Sequence, residues 1–163
     1  MKGLVLTIGA IVAAMSLSYG LASASASSSS ASAGTKVAVA SSKLGRILVD
    51  ARGRTLYLFA KDTNGKSACA GACATYWPPL IASGKPRAGA GAKQSLLGTT
   101  RRADGRLQVT YRHHPLYRYV GDATKGQTKG QGLDLSGGKW WVLSPAGNKI
   151  ARGGSSMGYG YGY

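Results

Sequence analysis

Two stretches of the chain repeat one spacing of chemically capable side chains. Tyr57, Phe59 and Asp62 fall in YLFAKD, and Tyr117, Tyr119 and Asp122 fall in YRYVGD, sixty residues later. Residues i and i+2 of a strand share a face. Each stretch therefore sets a phenol beside a second aromatic ring, with a carboxylate three residues further on. As structure, the aromatic pairs face the core or a sheet partner, and each aspartate accepts turn N–H groups. As function, the two sets form a symmetric aromatic-and-carboxylate pocket for a small ligand. The large area an aromatic ring buries favours the structural reading. A tryptophan follows each aspartate, Trp77 after 15 residues and Trp140 after 18.

Other reactive side chains are few. Cys69 and Cys73 are the two cysteines, and in an exported chain such a pair reads first as a disulfide. It would pin the loop leading into Tyr76-Trp77-Pro78-Pro79. Redox-responsive thiols and a metal site are the alternatives. A redox pair usually has two intervening residues, however, and a metal needs more ligands. His113 and His114, the two histidines, are weak candidates for copper or zinc. They point to opposite faces on a strand and converge only in a turn. No G-x-S-x-G occurs, and no histidine and aspartate lie at a recognisable offset. The glycine-rich GQTKGQG (126–132) opens no helix and reads as a loop, not a phosphate cradle. No cofactor is implied.

Charge narrows the classes further. The chain has 21 Lys+Arg against 5 Asp+Glu, a formal net charge of +16. All five acids are aspartates, each in a turn setting: Asp50, Asp62 and Asp134 in D-x-x-G, Asp104 in D-G, and Asp122 opening the loop to Gly126. That leaves no spare carboxylate for paired-acid hydrolysis or a calcium cage. Arg46, Arg52, Arg54, Arg101, Arg102, Arg106, Arg112 and Arg118 fall on or beside hairpin signals. On one sheet face they would bind polyanions such as lipopolysaccharide, acidic polysaccharide or extracellular DNA.

The elements that must position these groups are short strands. Residues 1–24 read as a secretory signal: Lys2, an apolar LVLTIGAIVAAM, then small residues at an A-x-A site. Cleavage leaves no membrane span and places the chain in the periplasm or outside the cell. It removes one base, so 20 bases against five aspartates give +15. Residues 25–35 form a Ser/Ala linker and residues 153–163 (GGSSMGYGYGY) a Gly/Tyr tail, both expected to be disordered. Between them, 36–152 suits one domain. Its strand signals are RILVD (46–50) returning through D-A-R-G into TLYLF (55–59), 97–101 and 106–111 about Asp104-Gly105, LYRYV (116–120), and KWWVL (139–143). Leu107, Val109 and Tyr111 should face the core, and Gln108 and Thr110 solvent. No amphipathic helix of ten residues is present. The expectation is an all-β domain, a single small antiparallel sandwich or barrel of about seven strands, built from related units at about 43–80 and 97–147.

LGRILVDARGRTLYLFAKDTNG (44–65), CAGACATYWPPL (69–80), HPLYRYVGD (114–122), GQTKGQGL (126–133) and GGKWWVLSPAG (137–147) occur in order. In them the chain resembles the bacterial secreted repeats of unknown function, predicted lipoproteins with a Y-x-[FWY]-x-x-D motif. The resemblance implies export, often with envelope anchoring, and no established activity. The chain lacks the lipidation cysteine of many relatives, and His113 stands where a glycine is expected. The reading is an exported, non-enzymatic β module that binds anionic envelope or extracellular polymers. The alternative is a periplasmic redox or metal-handling accessory, associated with copper or haem, working through Cys69, Cys73, His113 and His114.

Overall fold

A computed structural model describes residues 34–151. The signal segment, most of the Ser/Ala linker and the Gly/Tyr tail lie outside the described residues. The described chain is nearly all β. Its strands are β1 (Lys36–Ser42), β2 (Gly45–Asp50), β3 (Tyr57–Phe59), β4 (Arg87–Ala88), β5 (Leu97–Arg101), β6 (Leu107–Tyr111), β7 (His114–Pro115), β8 (Asp134–Leu135) and β9 (Gly138–Val142), with one short helix, α1 (Ala72–Tyr76). They form three three-stranded sheets ordered β2-β1-β4, β3-β9-β8 and β5-β6-β7. Every pairing is antiparallel except β1 with β4. No sheet closes into a barrel among the described residues.

The apolar runs are continuous because several strands bury both faces. Leu48, Leu56 and Leu58 enter one core with Val37, Leu80, Val109, Tyr111, Leu116 and Leu143. Their alternating neighbours Ile47, Val49, Tyr57 and Phe59 enter a second with Cys69, Trp77, Tyr117, Trp140 and Val142. Each fully buried large side chain contributes about 1.5–3 kcal/mol.

Four elements depart from the expectation. Strand β1 precedes the assumed start of the first unit and is the partner of β2, in register from Val37↔Asp50 to Ser42↔Gly45. The D-A-R-G turn is present, with Gly53 N–H on Asp50 O at 2.9 Å. The chain beyond it keeps an Asp50-to-Arg54 bond, a Val49↔Thr55 bridge and a Leu56-to-Leu48 bond before β3 leaves to pair with β9. Strand β6 is not half-buried: Gln108 and Thr110 are buried while Leu107 is the exposed member. The reason is Arg102, whose buried guanidinium supplies Gln108 with a partner inside the protein. Residues 116–120 form no regular strand and are held by bridges at Tyr117 to Tyr57 and Pro79.

The two units are related by an approximate two-fold exchange. Leu48 N–H donates to Leu143 O, and Val109 N–H donates to Leu80 O. Ala60 N–H donates to Lys139 O, and Val120 N–H to Tyr76 O. Thus the last segment of each unit is hydrogen-bonded into the other. At the centre of the exchange Tyr57 and Tyr117 exchange both backbone bonds, at 2.9 and 3.0 Å.

Candidate functional site

The twin motif lies on this pseudo-dyad, and its side chains cross it. Tyr57 Oη donates to Asp122 Oδ2 at 2.6 Å, and Tyr117 Oη donates to Asp62 Oδ2 at 2.8 Å. Each phenol therefore bonds the carboxylate of the other unit. The aspartates also organise the loops behind them, but at longer range than a turn: Asp62 accepts Ala68 N–H and Asp122 accepts Lys129 N–H. Phe59, Trp140, Trp77 and Tyr119 stack in one column, with ring centroids 4.1, 3.8 and 4.3 Å apart. Tyr57 meets Trp77 edge-on at 5.4 Å and Tyr117 meets Trp140 at 5.1 Å. The motif's own rings fill the space between the units.

Burial sets the protonation of this centre. It pushes Asp62 up to about 6, against the opposing pull of Ala68 N–H, Tyr117 and Arg102. Burial also raises Asp122, and burial with the neighbouring carboxylates holds both phenols far above their ordinary value. The second unit's half has an added anchor. Arg102 donates to Gln108 Oε1, Ser67 Oγ and Cys69 O at 2.7–2.8 Å, and Ser67 shares a hydrogen bond with Tyr117 Oη. Arg102 is accordingly a correction: it is a buried structural arginine and not part of a surface for anions. Cys69 and Cys73 form a disulfide with Cα atoms 5.3 Å apart, just ahead of Tyr76-Trp77.

The remaining arginines do not share one face. Arg101 donates to Gly105 O in the β5–β6 hairpin, where Arg106 pairs with Asp104 at 2.7 Å and draws that acid down to about 2. Arg112 is used by Ala146 and Asn148, and Arg46 lies on β2 against Gly91. Arg52, Arg54 and Arg118 do converge. With Lys36 and Arg87 they line a groove of about 770 Å³ whose one acid is Asp50. Asp50 is buried and committed, accepting Arg52 N–H, Arg54 N–H and the Arg54 guanidinium. Sequence reasoning missed Lys36 and Arg87, which the parallel β1–β4 register sets side by side. No local pattern announces a two-residue strand.

His113 is exposed in the β6–β7 turn with φ 65°, and His114 is half-buried on β7. A left-handed backbone is the one glycine adopts freely, which accounts for the glycine expected at 113. Among the described residues no three His, Cys, Asp or Glu side chains gather where they could hold a metal ion. No helix among them is long and apolar enough to cross a membrane.

A family model described as a secreted repeat of unknown function matches the chain twice, over residues 38–81 and 98–144. These two matches coincide with the two interleaved units. No curated protein and no solved structure matches the chain.

Proposed function

We infer that this protein, which belongs to the family of secreted repeats of unknown function, is an exported, non-enzymatic module that holds anionic polymers of the envelope or the extracellular medium. The observation that carries this reading is the fate of the acids. Asp62 and Asp122 are held by tyrosines, Asp50 by Arg54 and a turn, Asp104 by Arg106, and Asp134 by Lys139. Within the groove Asp50 answers Arg54, and Lys36, Arg52, Arg87 and Arg118 have no acidic partner there. A groove with cations in such excess over its one acid concentrates polyanions.

Chromatography of the exported chain on immobilised heparin, duplex DNA and lipopolysaccharide tests the reading. Retention at low salt that falls steeply as salt rises is expected, because each neutralised anionic group releases a counterion. Passage through all three resins at low salt would overturn it.

A further inference from the structure

Among the described residues two buried side-chain polar atoms find no partner, Trp77 Nε1 and Arg118 Nε. Both are donors, and a buried donor left unpaired costs about 1–3 kcal/mol. The repeat itself does not impose either one. The equivalent tryptophan of the second unit, Trp140, donates its Nε1 to Leu135 O at 3.0 Å. The position equivalent to Arg118 in the first unit is Leu58, an apolar core residue. Both unpaired donors are thus places where one unit abandons the symmetry of the pair.

The two donor atoms are themselves buried, but their residues line a run of adjoining hollows that together make a trough. Arg118 lines the 770 Å³ basic groove, and with Arg54 also lines a hollow of about 260 Å³ bordered by Pro78, Tyr119, Val120 and Asp122, whose carboxylate is taken by Tyr57 Oη and Lys129 N–H. Tyr119 then lines a further hollow of about 340 Å³ with Tyr76, Trp77 and Leu135. The shared residues join a cationic end to an aromatic end. At the aromatic end Tyr76, Val120 and Leu135 are 61%, 55% and 43% exposed, unusual for large apolar side chains. Tyr76 and Val120 are held side by side by the Val120 N–H bond to Tyr76 O. At the cationic end burial, then the Arg54 guanidinium beside it, pulls the Arg118 pKa below the ordinary arginine value. An arriving anion relieves that repulsion.

We propose that this trough is a binding site for acidic saccharides, with the sugar's carboxylate at Arg118 and Arg54 and its apolar C–H face on Tyr76 and Tyr119. The inference rests on the polyanion reading above and narrows it to one ligand class. A uronic acid carries a carboxylate and an apolar ring face within one residue, matching the guanidinium groups at one end and the exposed aromatic surface at the other. A phosphate polymer satisfies only the charged end.

Calorimetric titration of the exported chain with tetragalacturonate, its methyl ester and a short inorganic polyphosphate tests it. Tetragalacturonate should bind at least about tenfold more tightly than the ester, since the ester loses the charge-assisted bonds. Tyr76→Ala, at a side chain that is mostly exposed, should weaken tetragalacturonate about fivefold and leave polyphosphate within about twofold. Arg118→Gln should weaken both, and Arg101→Ala neither. Equal effects of Tyr76→Ala on tetragalacturonate and polyphosphate, or no effect on either, would overturn the saccharide site while leaving polyanion binding in place. So would a thymidine oligonucleotide whose binding depends on Tyr76 when tetragalacturonate's does not. Absence of binding by all probes at low salt would overturn the polyanion reading as well.

Discussion

Replacing Tyr57 by phenylalanine tests the crossed pairing of the two units. The substitution keeps the ring against Trp77 and Tyr119 and removes only the hydroxyl. Two bonds go with it: the one Tyr57 donates to Asp122 at 2.6 Å and the one it accepts from Gly130 N–H at 3.2 Å. A hydrogen bond to a charged partner contributes about 1.5–3 kcal/mol, and the stranded Gly130 N–H adds about 1 kcal/mol. Tyr57→Phe should therefore cost about 2–4 kcal/mol, a large share of a stability of about 5–15 kcal/mol. Urea unfolding followed by circular dichroism at pH 8 measures it. The decisive result is a pair of double-mutant cycles. Tyr57→Phe should couple to Asp122→Ala by about 1.5–3 kcal/mol and be additive with Asp62→Ala within about 0.5 kcal/mol. Equal coupling to both aspartates, or a cost below about 1 kcal/mol for Tyr57→Phe, would refute the crossing.

Two further outcomes follow from the same centre. Asp62 has its folded pKa raised from 3.8 to about 6, so its contribution to stability is complete below pH 4 and is lost as pH rises through 6. A shift of two pKa units is about 3 kcal/mol. Solvent reaching the side chain reduces this to about 1–2 kcal/mol. Wild type should gain that much over Asp62→Asn between pH 7.5 and 4.5 in urea titrations. His114, held below its ordinary value by burial, acts in the opposite direction but equally in both proteins. An unchanged pH slope in Asp62→Asn would contradict the assignment. Gly130→Ala should lose about 1–3 kcal/mol through overpacking. The added Cβ would sit 2.7 Å from Trp77 Cη2 and 2.9 Å from Tyr57 Cε1. A thermal unfolding midpoint at or above that of wild type would show that the ring column yields.

Much of the architecture is legible locally. The β5–β6 hairpin follows from alternating residues about Asp104-Gly105, and its register runs from Leu97↔Tyr111 to Arg101↔Leu107. The repeat is visible as a spacing of Tyr, aromatic, Asp and a later Trp. Strand β1 is less visible because Lys36-Val-Ala-Val-Ala-Ser-Ser42 carries small residues that continue the composition of the linker before it. The burial of Gln108 is invisible for a different reason. An isolated glutamine on a strand reads as solvent-facing, and its burial rests on two partners that the local pattern does not show, the Arg102 guanidinium on its Oε1 and Leu116 O accepting from its Nε2. The basic groove is hidden likewise, since Lys36, Arg52, Arg87 and Arg118 come together only through long-range pairings.

The crossing explains why the motif takes the form it does. If each tyrosine bonded the aspartate of its own unit, the motif would close a local loop and each half could settle by itself. Here the phenol, the backbone bridge between Tyr57 and Tyr117, and the tryptophan column all join one unit to the other. The last segments, through Leu80 and Leu143, complete the opposite unit's hydrogen bonding. A carboxylate buried at such a junction is costly unless a donor meets it, and the donor comes only when the second unit is in place. The motif thus penalises a half-formed domain. Arg118 and Trp77, the two residues with unpaired donors, lie on the seam between the units.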